Sequence, residues 1–243
     1  TAFGQMLLPV IAAFLIINFE WRITTIILGL SAAFLLLFSA LLVKFPKRLE
    51  EKENTKSNGG IIFSKVSKSP IFKKICIIQF LYFPTLMTIP THIAVHGTDL
   101  GMTQTKAAFL LSAIGAASII GRLSVGIFLD KVGGRKSYLF CFSPILLSLL
   151  IFIFVTNHTI LFLFVALYGF AHGALFVVVS PTIAEYFGLR DHASLFGIVV
   201  FCGTIGGAIG PIFAGSVFDL TGSYNIAFGT LFAFVALSSI VVR

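Results

Sequence analysis

Residues 121–137 read GRLSVGIFLDKVGGRKS. Arg122 stands at the end of a run that is uncharged from Ala107 to Gly121, and eight residues later Asp130 opens a charged cluster with Lys131, Arg135 and Lys136. A guanidinium inside an apolar run is expensive to bury, so the run needs a use for it. Five of these residues, Gly126, Asp130, Gly133, Arg135 and Lys136, form the pattern G-x-x-x-D-x-x-G-x-R-K. Gly126 permits a neighbouring helix to approach closely. Asp130 ends the helix where basic residues or the N-terminus of another helix can meet it. Gly133 and Gly134 allow a very short turn.

The composition decides what solvent surrounds such a helix. Of 243 residues, 58% are hydrophobic and 11% charged, with 28 phenylalanines. A water-soluble domain is nearer half apolar and a quarter charged, so the chain calls for lipid around it. The net charge of +8 does not indicate nucleic acid, because the basic residues lie between apolar runs and on no single soluble face. The cysteines, Cys76, Cys141 and Cys202, are far apart in sequence, show no CxxC or metal spacing, and read as buried hydrophobes.

A membrane-spanning helix needs about 20 mostly apolar residues. The sequence predicts eight, at 3–19, 23–45, 71–95, 107–129, 137–156, 159–183, 194–218 and 224–242, which makes the fold all-α, a polytopic transmembrane helix bundle. The one long polar stretch, 46–70, reads as a linker between residues 1–45 and a six-helix block, 71–243. Fourteen of the 17 Lys and Arg fall on the side of that linker and of the 130–136 turn, and Arg22 and Lys106 fall on the other. By the positive-inside rule the linker and the 130–136 loop are cytoplasmic. Residues 203–215 hold five glycines around Pro211, a pattern that serves both tight packing and a helix that bends.

The G-x-x-x-D-x-x-G-x-R-K pattern resembles the loop signature between the second and third helices of each half of the major facilitator superfamily, where it latches one conformation. Three further passages narrow the resemblance: GQMLLP (4–9) with Trp21-Arg22, residues 89–126 beginning IPTHIAVHG, and 180–228 beginning SPTIAEYFG. They look like the fifth, the seventh and eighth, and the tenth and eleventh helices of the monocarboxylate transporter family in its bacterial or archaeal branch, related to the oxalate/formate exchangers. The resemblance implies a major facilitator fold lacking its first four helices, which a complete transporter would need as a partner. It also implies secondary transport of small organic anions, with a proton as the second partner, in the cell membrane. No cofactor is implied, and neither an enzyme motif nor a nucleotide loop is present to suggest an enzyme.

The family's eighth-helix arginine, which binds the substrate anion, corresponds to Arg122. Its planar donor pair matches a carboxylate, while snorkelling to headgroups is the plainer reading. Many animal members carry an aspartate one turn earlier, and here that position is Ser118. His92 is then a candidate to take a proton or to bond a carboxylate, or simply a packed neutral histidine. Tyr82 and Tyr168 are candidate donors to the anion, with interfacial anchoring or packing as the alternative; His172, one turn after Tyr168, is a weaker candidate of the same kind. Residues 194–218 contain no Lys or Arg, so one buried positive charge favours one carboxylate over a dianion. The alternatives to a proton symporter are an anion exchanger and a sensor that has lost transport.

The sidedness is open to direct test. In a cysteine-free background, a cysteine at Asn58 is expected to react with a membrane-impermeant maleimide only from the cytoplasm, and one at Gly101 only from outside. Labelling of both from one face would refute the assignment.

Overall fold

The structure is a computed structural model that describes residues 2–43, 66 and 68–243, so all of the 46–70 linker except Val66 and residues 68–70 lies outside the described residues. Among the described residues there are seven helices: α1 Ala2–Leu42, α2 Pro70–Asp99, α3 Gln104–Val132, α4 Gly134–Phe154, α5 His158–Phe187, α6 His192–Thr221 and α7 Asn225–Val242. All seven are long and apolar enough to cross a membrane. In hydrocarbon the backbone N–H and C=O groups have no water to bond, and a helix satisfies them within itself.

The sequence predicts eight spans, and the structure draws seven helices because the first two meet at a kink without a loop. The segments expected at 3–19 and 23–45 join into the single 41-residue α1, whose one non-helical residue is Glu20, at φ 61° and ψ 165°. Forty-one residues of helix would extend about 60 Å, twice the hydrocarbon thickness. The polar Glu20-Trp21-Arg22 triplet breaks that length in two, although with one residue and no loop. Glu20 occupies backbone space that favours glycine, a strain of order 1–3 kcal/mol.

The turns between the later helices are short for stereochemical reasons. Gly101, Gly133, Gly188 and Gly222 all take positive φ and close the ends of α2, α3, α5 and α6. At the opposite ends, Ser69, Thr103 and Asn157 accept backbone N–H groups of the first turns of α2, α3 and α5, satisfying donors the helix leaves open.

Packing follows a path of neighbours. The first half of α1 lies on α3, α3 on α5, α5 on α4, α4 on α7, α7 on α2, and α2 on α6. Lipid offers apolar side chains no hydrophobic reason to associate, so close van der Waals fit decides which helices touch. The tightest contacts are therefore made through glycine. A methyl group on Gly121 would overlap the Phe170 carbonyl, one on Gly169 would lie 2.6 Å from the Ile114 Cα, and one on Gly173 would meet Ser118. Across α2 and α6, Gly206 and Gly210 leave room for the Phe80 and Pro84 carbonyls. That face also brings Cys76 beside Cys202, two free thiols that the sequence separates by 126 positions.

Gly121→Ala is expected to destabilise the bundle by about 1–3 kcal/mol, as overpacking does. Gly197→Ala, where a methyl group meets nothing within 4 Å, is expected to be neutral or stabilising by up to about 1 kcal/mol. Unfolding of the two variants in mixed detergent micelles measures the difference; equal losses would mean that the α3–α5 approach is looser than described.

Candidate functional site

The middle of the bundle holds one cationic centre. Arg122, on the half-buried flank of α3, places its guanidinium carbon 5.4 Å from the ring centroid of Phe176 on α5. The Phe176 ring also takes an edge-on contact from His172, 5.2 Å away. His172 is in turn 5.6 Å from the ring of Tyr168, and the Tyr168 hydroxyl donates to the Thr85 carbonyl of α2 at 2.9 Å. Tyr168, His172 and Phe176 are spaced four apart, so α5 presents them as one stripe. The Phe176 face satisfies part of the charge of Arg122 through its quadrupole.

Three polar atoms in this neighbourhood are buried with no hydrogen-bond partner among the described residues: Arg122 Nε, His172 Nδ1 and Thr85 Oγ1. Buried polar groups are nearly always paired, and several orphans on adjoining elements mark a place where something else completes the bonding. The sequence contains no Asp or Glu between the end turns of α2 to α7, so no carboxylate there neutralises Arg122.

The residues named from sequence divide by location. Arg122 and Tyr168 come together on either side of the Phe176–His172 pair. Ser118 does not face that centre: it is fully buried, donates to the Gly115 carbonyl at 2.8 Å, and seats against Gly173. Tyr82 lies elsewhere, donating to Gln79 Oε1 at 2.6 Å and packed beside Tyr138 and Phe142. His92 is two turns from the C-terminal end of α2, about 16 Å from Arg122 along the bundle axis at 1.5 Å per residue. His172 is the residue whose weight rises most with structure. Its signal in the sequence is the i, i+4 spacing from Tyr168 and to Phe176.

His92 belongs to a separate clasp. Its Nε2 lies 3.1 Å from the Pro211 carbonyl of α6, and its Nδ1 lies 3.1 Å from the Tyr224 hydroxyl at the head of α7. A carbonyl only accepts, so Nε2 carries the hydrogen and, in the neutral ring, Nδ1 accepts from Tyr224. Burial, and then the carboxylates of Asp99 and Asp219, push the Tyr224 hydroxyl above its usual range, which keeps it a neutral donor. The clasp ties α2, α6 and α7 together at one end.

The pattern Gly126–Lys136 forms the turn at the other end. Gly133, at φ 80°, closes α3 and lets α4 start at the next residue. The Gly134 N–H donates to Glu185 Oε2 at 2.8 Å, so a carboxylate from the end of α5 sits at the positive N-terminus of α4. Arg135 donates from Nη2 to the Arg243 carbonyl at the end of α7. Gly126 has open space around it, and Asp130 and Lys136 are exposed. The turn thus links α3, α4, α5 and α7.

Comparison with known proteins bears on the family and the fold. The family model described as Major Facilitator Superfamily matches residues 1–143 and 75–243. Monocarboxylate transporter 7 of Homo sapiens is 32% identical over 65% of this chain and 30% of its own length. Monocarboxylate transporter 13 of Rattus norvegicus is 29% identical over 91% of this chain and 52% of its own. The uncharacterised MFS-type transporter YcxA of Bacillus subtilis is 29% identical over 98% of this chain and 60% of its own. The crystal structure of the transporter FucP in its outward conformation superposes with a TM-score of 0.67 at 19% identity, over 93% of this chain and 54% of that one, a likeness of fold alone. The chain spans about half the length, or less, of the first two of these relatives.

Glu185→Gln is expected to weaken the α4 start by about 1 kcal/mol, the usual worth of a charged cap. Hydrogen exchange at residues 134–138 reads this locally, and unchanged protection would show that the Glu185 contact does not hold the turn.

Proposed function

Because the chain belongs to the Major Facilitator Superfamily, an integral multi-pass membrane family, we propose that it forms part of a secondary transporter of small monocarboxylates in the cell membrane, coupled to protons. The carrying observation is Arg122: a mid-membrane guanidinium on Phe176 with its Nε unpaired and no carboxylate at its depth. A monocarboxylate supplies both the missing acceptors and the missing negative charge. The names of the monocarboxylate transporters it resembles support the same substrate class.

The mechanism follows from charge. Free of substrate, the centre holds the positive charge of Arg122 beside His172. A bound carboxylate neutralises Arg122, and a proton on His172 then meets no net positive neighbour across Phe176. Anion and proton therefore favour each other's binding, which is the linkage a symporter needs. Tyr168 positions the histidine from one side while donating to the Thr85 carbonyl. The turn at Gly126, Asp130, Gly133, Arg135 and Lys136 serves the conformational change, as a latch between helix ends that must separate and rejoin when one bundle rocks against the other.

The test uses the full-length protein carrying this chain, in liposomes, with labelled lactate and pyruvate and an imposed inward proton gradient. Arg122→Lys keeps the charge and loses the paired donors, and uptake is expected to fall at least about tenfold, the worth of a charge-assisted bond. His172→Gln is expected to retain exchange of internal for external anion and to lose stimulation by the proton gradient. Normal uptake by Arg122→Lys would remove the anion site from α3, and proton-stimulated uptake by His172→Gln would remove His172 from coupling.

A further inference from the structure

At the end of the bundle that carries the Gly133–Gly134 turn, a pocket of about 190 Å³ opens between α2, α4, α5 and α7. Lys74, Arg135 and Arg243 line it, and none of its lining residues is acidic. The nearest carboxylate on α5, Glu185, is engaged with the Gly134 N–H. Arg135 gives one donor to the Arg243 carbonyl. The deep wall includes Tyr138, 2% exposed, whose hydroxyl has no hydrogen-bond partner among the described residues. On the α2 side the lining turns apolar, with Ile75 buried and Ile71 47% exposed toward the surrounding lipid.

Three exposed cations lining one pocket, a hydroxyl without a partner among the described residues and an apolar exit form the complement of a phosphate attached to an acyl chain. We infer that this pocket binds the phosphate of an anionic phospholipid headgroup, with the acyl chain leaving along Ile71. Such pockets between helix ends select anionic lipids by charge. The site stands apart from the Arg122 centre and does not depend on the substrate assigned there. A lipid seated here would touch the ends of four helices, including the start of α4, and so would bias the turn between its arrangements.

The test places the purified full-length protein in nanodiscs and measures retained lipid by native mass spectrometry, comparing phosphatidylglycerol with phosphatidylcholine. Phosphatidylglycerol is expected to be retained preferentially. Lys74→Gln is expected to reduce that preference about fivefold, the effect of one cation near the headgroups. Lys74→Arg is expected to preserve it and thereby to report intact folding, and Lys73→Gln, one residue away and outside the pocket, to leave it unchanged. Equal losses in Lys73→Gln and Lys74→Gln would overturn the pocket in favour of diffuse surface charge. Equal retention of the two lipids would overturn it outright. A parallel arm adds inorganic phosphate to detergent-solubilised protein; thermal protection by phosphate, lost in Lys74→Gln, without any preference for phosphatidylglycerol would assign the site to a free anion and overturn the lipid.

Discussion

The backbone-to-backbone contact of α3 with α5 governs what the rest of the molecule can do. At Gly121, Gly169 and Gly173 the two helices approach so closely that a methyl group would collide with main-chain atoms. This approach fixes their relative rotation and height. Arg122 immediately follows Gly121, and Phe176 lies three residues beyond Gly173, so the same contact that locks the helices brings the guanidinium onto the ring. In lipid this device is effective because apolar burial gives no preference among neighbours, whereas close fit does. The α2–α6 contact repeats the arrangement with Gly203, Gly206, Gly207 and Gly210.

Between these two glycine seams lies a centre with an excess of positive charge and a deficit of hydrogen-bond partners. Both are tolerable only if an anion or water completes them for part of the working cycle. The clasp around His92 and Tyr224 and the turn around Gly133 and Glu185 are by contrast held by hydrogen bonds between helices. Hydrogen bonds thus join different helices at both ends, while in the middle Arg122 Nε and His172 Nδ1 have no partner among the described residues. That is the distribution expected when the ends set the shape and the middle binds something that leaves.

The fold was largely legible in the sequence. Apolar runs separated by Gly, Asn and charged residues announce the helices, because lipid permits almost nothing else. The limit appears at Glu20. A polar triplet there predicts two helices with a break between them, whereas one residue outside helical space is enough, and hydropathy does not reveal how many residues a break consumes. The candidate site was legible in one residue, Arg122, whose charge stands out in an apolar run. His92 and Tyr82 are equally polar on paper, but whether such residues face a centre or a neighbouring helix depends on rotation about the helix axis, which glycine contacts set.

The sequence by itself determined that this chain lies in a membrane as a bundle of long helices, that one guanidinium is held deep within it, and where the turn signature falls. Those follow from composition, period and spacing, each a property of residues near one another in the chain. Tertiary structure alone decided that His172 shares a ring with Arg122, that Ser118 is spent on helix packing, that His92 clasps Pro211 and Tyr224, and that Cys76 meets Cys202. Each of these pairs residues on different helices, and only the close approach of backbones, at glycines too small to keep them apart, sets which of their side chains meet.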